Sequence, residues 1–184
     1  MKFISQVLVF AATLMATGVV AVEKGVILGP TFGGPHGNKY SDVESVGPGQ
    51  TVQSITIRAS DRVDSVSLNV TNLVGKVSAL KHGGGGGDKD TLHLGEGEHI
   101  TGIEVHWGKY YRKTRVMYIQ FTTDKGHIIA GGTPQDNIDK IGKDTAWEGY
   151  QLGGFVGFAG EELDSVGAIW TSIQPLQVSL PPVA

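Results

Sequence analysis

The stretch "GFAGEELDSVGAIW", residues 157–170, places Glu161, Glu162 and Asp164 in one short loop between apolar alternating segments. Clustered carboxylates serve acid–base catalysis, metal binding, turns, or recognition of a ligand's hydroxyl groups. Glycoside hydrolysis needs two carboxyl groups facing each other across a scissile bond at roughly 5–9.5 Å. Near neighbours on one tight loop point in different directions, so that geometry is not expected here. No nucleophile elbow, Ser-His-Asp order or HExxH helix accompanies them. Histidines His82, His93, His99, His106 and His127 show no recognised metal-ligand spacing, and they are expected on the surface or in cross-strand pairs. A turn and a ligand's hydroxyls remain as uses for Asp164.

The elements that must position this loop are strands. Glycine supplies 28 of 184 residues, and no segment after the N-terminus sustains a 3.6-residue apolar period. Runs such as "TVQSITIRAS", "DSVSLNV", "TGIEVHW" and "RVMYIQFTT" alternate instead, which puts one apolar face on a sheet. Residues 55–70, 92–107 and 156–170 can be superposed as three similar hairpins. Ser60-x-x-x-Asp64, Gly97-x-x-x-Thr101 and Gly160-x-x-x-Asp164 then fall at one loop. Threefold similarity predicts three sheets around a common axis, none able to bury its apolar face alone. The five glycines Gly83 to Gly87 lack a following GK[ST] and a helix, so they read as a flexible inter-strand loop rather than a phosphate cradle.

Residues 1–21 combine Lys2, an uncharged apolar stretch and small residues at Val19-Val20-Ala21, and read as a secretory signal peptide. The expected organisation is a leader over 1–21, one domain over 22–173 and an extended proline-containing tail over 174–184. No stretch after the leader has the length of a membrane span. Cysteine is absent, which excludes thiolate catalysis and disulfide staples, so packing must hold the domain together. The formal net charge of −3 gives no basic face of the kind nucleic acid requires. Asn69-Val70-Thr71 is an N-glycosylation sequon. Trp107, Trp147 and Trp170 are expected to pack in the core or on a sheet.

Taken in order, "GPTFGGPHGNKYSDV" (29–43), a mid-chain His-Gly-Gly and "GGFVGFAGEELDSVGAIW" (153–170) resemble the jacalin-related lectins, over roughly Gly25 to Ile173. The resemblance implies an all-β fold, β-prism I, with three four-stranded antiparallel sheets in pseudo-threefold symmetry. It implies a secreted, non-enzymatic carbohydrate-binding protein that uses no metal or other cofactor. Mannose/glucose-type glycans are expected rather than galactose, because nothing near Gly37 demands the chain cleavage found in the galactose binders.

The implied site joins the glycine-rich loop Gly33, Gly34, His36 and Gly37 to Gly160, Glu162, Leu163 and Asp164. Lys125, in the loop Thr123–His127, is the third contributor. An ionised Asp164 would accept hydrogen bonds from two adjacent sugar hydroxyls, with the amides of Glu162 and Leu163 donating to the same oxygens. Gly160 would permit a tight loop with unusual dihedrals. His36 departs from the family's glycine, and either hydrogen-bonds a hydroxyl or obstructs the pocket. Ser60, Arg62, Val63 and Asp64 form a second candidate carbohydrate site, against the plainer reading that Asp64 caps a turn. Thr101 excludes the middle copy. Convergence of Lys39, Lys109 and Lys125 would favour anionic glycans. Avidity predicts a homo-oligomer, most simply a dimer. The competing reading is a prism that has lost sugar binding and acts through protein contacts.

Overall fold

A computed structural model describes residues 21–176. The leader up to Val20 and the tail from residue 177 lie outside the described residues. The strands are β1 (Ala21–Glu23), β2 (Val26–Gly33), β3 (Asn38–Ser41), β4 (Thr51–Ala59), β5 (Val63–Thr71), β6 (Val77–Gly83), β7 (Asp88–His93), β8 (Ile100–Tyr110), β9 (Lys113–Thr123), β10 (Ile128–Gly132), β11 (Ile141–Thr145), β12 (Tyr150–Ala159) and β13 (Leu163–Ser172). Among the described residues, one 3₁₀ turn, Ile138–Lys140, is the exception to an all-β fold.

Three antiparallel sheets result, ordered β2-β13-β12-β3, β6-β5-β4-β7 and β10-β9-β8-β11, with the three-residue β1 added at the edge of the first. This is the expected prism of three four-stranded sheets. In each sheet the two central strands form a hairpin, and a loop at the same end joins the two outer strands. The alternation seen in the sequence becomes the inner face: Ile55, Ile57, Val66 and Leu68 meet Val105, Ile119 and Phe121, and both meet Leu152, Phe155 and Trp170. Phe121 and Phe155, from different sheets, lie 5.9 Å apart. Trp170 donates its indole N–H to Asp144 at 2.8 Å, which satisfies the polar edge of a buried ring. Without disulfides, this burial of ~1.5–3 kcal/mol per large apolar side chain has to offset the chain entropy.

The register identifies the true repeat. Gly33 pairs with Ser165, Gly83 with Ser65 and Gly132 with Tyr118. The amides of Gly34, Gly84 and Thr133 then donate to the carbonyls of Asp164, Asp64 and Met117 at 2.9, 3.1 and 2.8 Å. Asp164, Asp64 and Met117 are therefore structural equivalents. The third copy is the β8–β9 hairpin with its turn at Tyr111 and Arg112, not residues 92–107. The Gly97–Thr101 segment connects two sheets at the opposite end, where its sequence imitates the repeat.

Candidate functional site

One end of the prism gathers the turns of β4–β5, β8–β9 and β12–β13 with the loops Gly33–Gly37 and Gly83–Gly87. The two carboxylate loops fold alike: Ser60 N–H donates to Arg62 O and Gly160 N–H to Glu162 O, both at 3.0 Å. Gly160 is not among the glycines with positive φ. The expected special backbone at Gly160 is thus not used, and serine serves equally at position 60. The unusual backbone belongs to the facing loops. Gly37 (φ +73°) and Gly87 (φ +59°) occupy the left-handed region, and a Cβ on either would sit 2.7 Å from Asp164 Oδ2 or 2.6 Å from Asp64 Oδ2.

Asp164 lies beside the Gly33–Gly37 loop as expected, but it is only 1% exposed. Its carboxylate is already claimed: Arg115 of β9 ion-pairs with Asp164 Oδ1 through one nitrogen and donates Nε–H to Glu162 at 2.7 Å. Glu162 also ion-pairs with Arg62, whose guanidinium stacks 4.0 Å over the Tyr110 ring. Hydrogen bonding from Arg62, opposed by burial and helped by Arg115, holds the Glu162 carboxyl below its usual range. Thr114, next to Arg115, abuts Gly34 so closely that any side chain there would overlap it. Leu163 is buried, His36 is half-buried and Phe158 is half-buried on β12.

Asp64 is 7% exposed, and its Oδ2 is buried without a hydrogen-bond partner. Arg62 Nε is likewise buried and unpaired. Burial pushes the Asp64 carboxyl above its ordinary range; Arg62 and Arg58 oppose this, and Glu162 adds to it. A cavity of about 300 Å³ opens here between Asp64, Gly84, Gly85, Gly86, Glu161 and Glu162. A Cβ on Gly86 would approach Asp64 Oδ1 to 2.5 Å. The glycine run is not a loose linker: Arg58 donates to the carbonyls of Gly85, Gly86 and Gly87 at 3.1, 2.9 and 3.0 Å. An unpaired acceptor and bare backbone thus share one small cleft, a set suited to alcohols carrying adjacent hydroxyls.

Other expected contributors lie elsewhere. Lys125 sits at the opposite end, its Nζ donating to Glu96 O at 2.8 Å, so it does not join Asp164. With Lys125 there, it cannot converge with Lys39 and Lys109 on one patch. Val63 is fully buried, and Asn69 is exposed, donating to Ser54 Oγ at 3.0 Å. Trp147 is 60% exposed rather than packed. Four histidines pair with carboxylates, His82 with Asp42, His99 with Asp124, His106 with Glu104 and His127 with Glu98. Among the described residues no three His, Cys, Asp or Glu side chains are grouped to hold a metal ion. Arg115 and Arg58 were missed by sequence reasoning: each lies in a strand distant in sequence from the loop it serves, and only the prism brings it there.

Residues 29–169 match the Jacalin-like lectin domain family. Among relatives, Secreted RxLR effector protein 19 of Plasmopara viticola is 30% identical over 139 residues, 75% of this chain and 77% of that one. Horcolin of Hordeum vulgare is 30% identical over 148 residues, covering 79% and 97%. Among solved structures, wild-type Malaysian Banana Lectin superposes with TM-score 0.69 at 24% identity, covering 80% of this chain and 99% of that one. AcmJRL, a mannose binding jacalin related lectin from Ananas comosus, gives TM-score 0.68 at 20% identity and the same coverage. The family and these neighbours are non-enzymatic carbohydrate-binding proteins, in keeping with recognition without turnover. On the match across most of its length, the chain belongs to the jacalin-like lectin domain family.

Proposed function

We propose that this chain is a secreted lectin that binds hexose units of mannose/glucose type, without metal, in the Asp64 pocket. The observation that carries the reading is the buried carboxylate of Asp64, whose Oδ2 has no partner, lining with Gly84–Gly86 a cleft of about 300 Å³, at the lower end of small-ligand clefts. Asp64 accepts from two adjacent hydroxyls, and the glycines let the ring approach the main chain. The Asp164 pocket, with Gly33, Gly34, His36, Gly37, Gly160, Glu162 and Leu163, has the same design, but its carboxylate is held by Arg115. The mannose/glucose preference leans on the mannose-binding pineapple neighbour, and secretion on the N-terminal apolar stretch and the secreted relative. No helix among the described residues is long and apolar enough to cross a membrane. Assembly into a dimer would multiply weak single sites into useful avidity.

Isothermal titration with methyl α-D-mannopyranoside tests this. Hydrogen bonds to a charged group contribute ~1.5–3 kcal/mol each, so Asp64→Asn is expected to weaken binding at least about tenfold. EDTA is expected to leave it unchanged. Equal binding by wild type and Asp64→Asn, or loss with EDTA, rules the reading out. The occupied Asp164 carboxylate favours the alternative, a prism acting through protein contacts; a folded wild type silent on a broad glycan array would support it.

A further inference from the structure

We propose that Arg115 decides whether the Asp164 pocket takes a sugar: its guanidinium occupies the carboxylate a hexose would use, and the pocket is latched shut against neutral hexoses. The inference rests on reading the two carboxylate loops as sugar pockets, and it explains why two pockets of one design differ. Asp64 and Asp164 hold equivalent positions, face equivalent glycine loops and follow equivalent turns. Only Asp164 is ion-paired to an arginine.

The difference comes from the third sheet. Its central strands, at eleven residues each, are longer than the nine of β4 and β5 and the ten of β12 and β13. β9 therefore starts beside the Asp164 loop, where Thr114 packs against Gly34 and fixes the base of Arg115. The Arg115 side chain is only 15% exposed, and it bridges Asp164 and Glu162. Glu162 is gripped from its other oxygen by Arg62, itself stacked on Tyr110. Two arginines and two carboxylates thus close on one another with little contact to water.

A neutral sugar has no charge to offer in exchange. To reach Asp164 it would have to strip the carboxylate of a desolvated guanidinium and leave that guanidinium with Glu162 alone. Hydroxyls return less than the charge-assisted contact they displace. Apparent affinity is divided by the fraction of molecules whose latch is open, so a latch open in about 1% of molecules weakens binding about a hundredfold. The Asp64 cleft carries no such tax, since Oδ2 has no partner to surrender.

The test uses the full chain in an Asp64→Asn background, titrated with methyl α-D-mannopyranoside and, in parallel, methyl α-D-galactopyranoside, with circular dichroism to establish folding. Adding Arg115→Ala is expected to restore hexose binding, and adding Asp164→Asn to that protein is expected to abolish it. If Arg115→Ala leaves the buried Asp164 charge too exposed for folding, Glu162→Gln serves instead, because it loosens Arg115 without baring Asp164. A weaker but Asp164-dependent gain is then expected. A folded latch variant that binds neither hexose overturns the proposal, as does Asp164-dependent binding with Arg115 and Glu162 intact. The Asp64 reading fails separately, when wild type and Asp64→Asn bind alike.

Discussion

Asp64 and Asp164 show how little a residue's identity decides without its neighbours. Both are aspartates at the start of an inner strand, both face a glycine loop, and both have a buried oxygen without a hydrogen bond, but only Asp164 is ion-paired, with Arg115. The sequence carried the pair of loops, through the shared Asp-Ser-Val at 64–66 and 164–166. It could not carry Arg115, which stands 49 positions before Asp164 and is aimed by a different sheet. The turn at 60 and 160 needs no glycine, since Gly160 has no positive φ and both turns close with the same hydrogen bond. Freedom from side chains is needed opposite the carboxylate. Gly86 and Gly85 separate that requirement cleanly: a Cβ on Gly86 meets Asp64 Oδ1 at 2.5 Å, whereas one on Gly85 meets nothing within 4 Å. Neither has a positive φ, so the contrast is one of space alone. Gly86→Ala is expected to lower hexose affinity about tenfold or more, with Gly85→Ala close to wild type, by the same titration. Equal effects would place the ligand elsewhere.

At the scale of elements, alternation made the strands legible, since "TVQSITIRAS" and "DSVSLNV" sit almost where periodicity puts them. The loops were harder. Gly83–Gly87 reads as a linker by composition, yet Arg58 ties three of its carbonyls, a contact set only by the β4–β7 pairing. Gly97–Thr101 looks like a carbohydrate loop and instead builds a hydrogen-bonded corner at the other end. There the buried Glu98 accepts from Thr123 Oγ1 at 2.7 Å, Gly95 N–H at 2.9 Å and His127 Nδ1 at 2.6 Å. These bonds, led by Thr123, lower its carboxyl to about 2 from 4.5. A depressed folded-state value stabilises the protein above the unfolded value and loses that contribution as pH falls from 4.5 towards 2. Glu98→Gln is therefore expected to lower Tm near neutral pH, with the gap to wild type closing as pH approaches about 2. Parallel Tm curves across that range would show that the corner adds no ionic stabilisation.

For the whole molecule, the pseudo-threefold prism is what turns generic hairpins into a binding end. Three sheets bury one shared core, and their repeat brings equivalent loops together at one tip. Symmetry is then broken residue by residue. Met117 stands where the other copies have aspartate, so the third sheet supplies no carboxylate and instead reaches across with Arg115 and Tyr110. The all-β class was legible in the alternating strands and glycine-rich turns, whereas the prism itself was implied by the resemblance carried by residues 29–43 and 153–170. Which tip pocket is open was not, since that depends on hairpin lengths and on side chains meeting between sheets. The most direct measurement is a crystal structure of the wild-type chain soaked with methyl α-D-mannopyranoside. The account predicts a hexose with two adjacent hydroxyls on the Asp64 carboxylate, its ring against Gly84–Gly86, and Arg115 still on Asp164. A sugar seated against Gly33–Gly37 with Asp64 empty would contradict it.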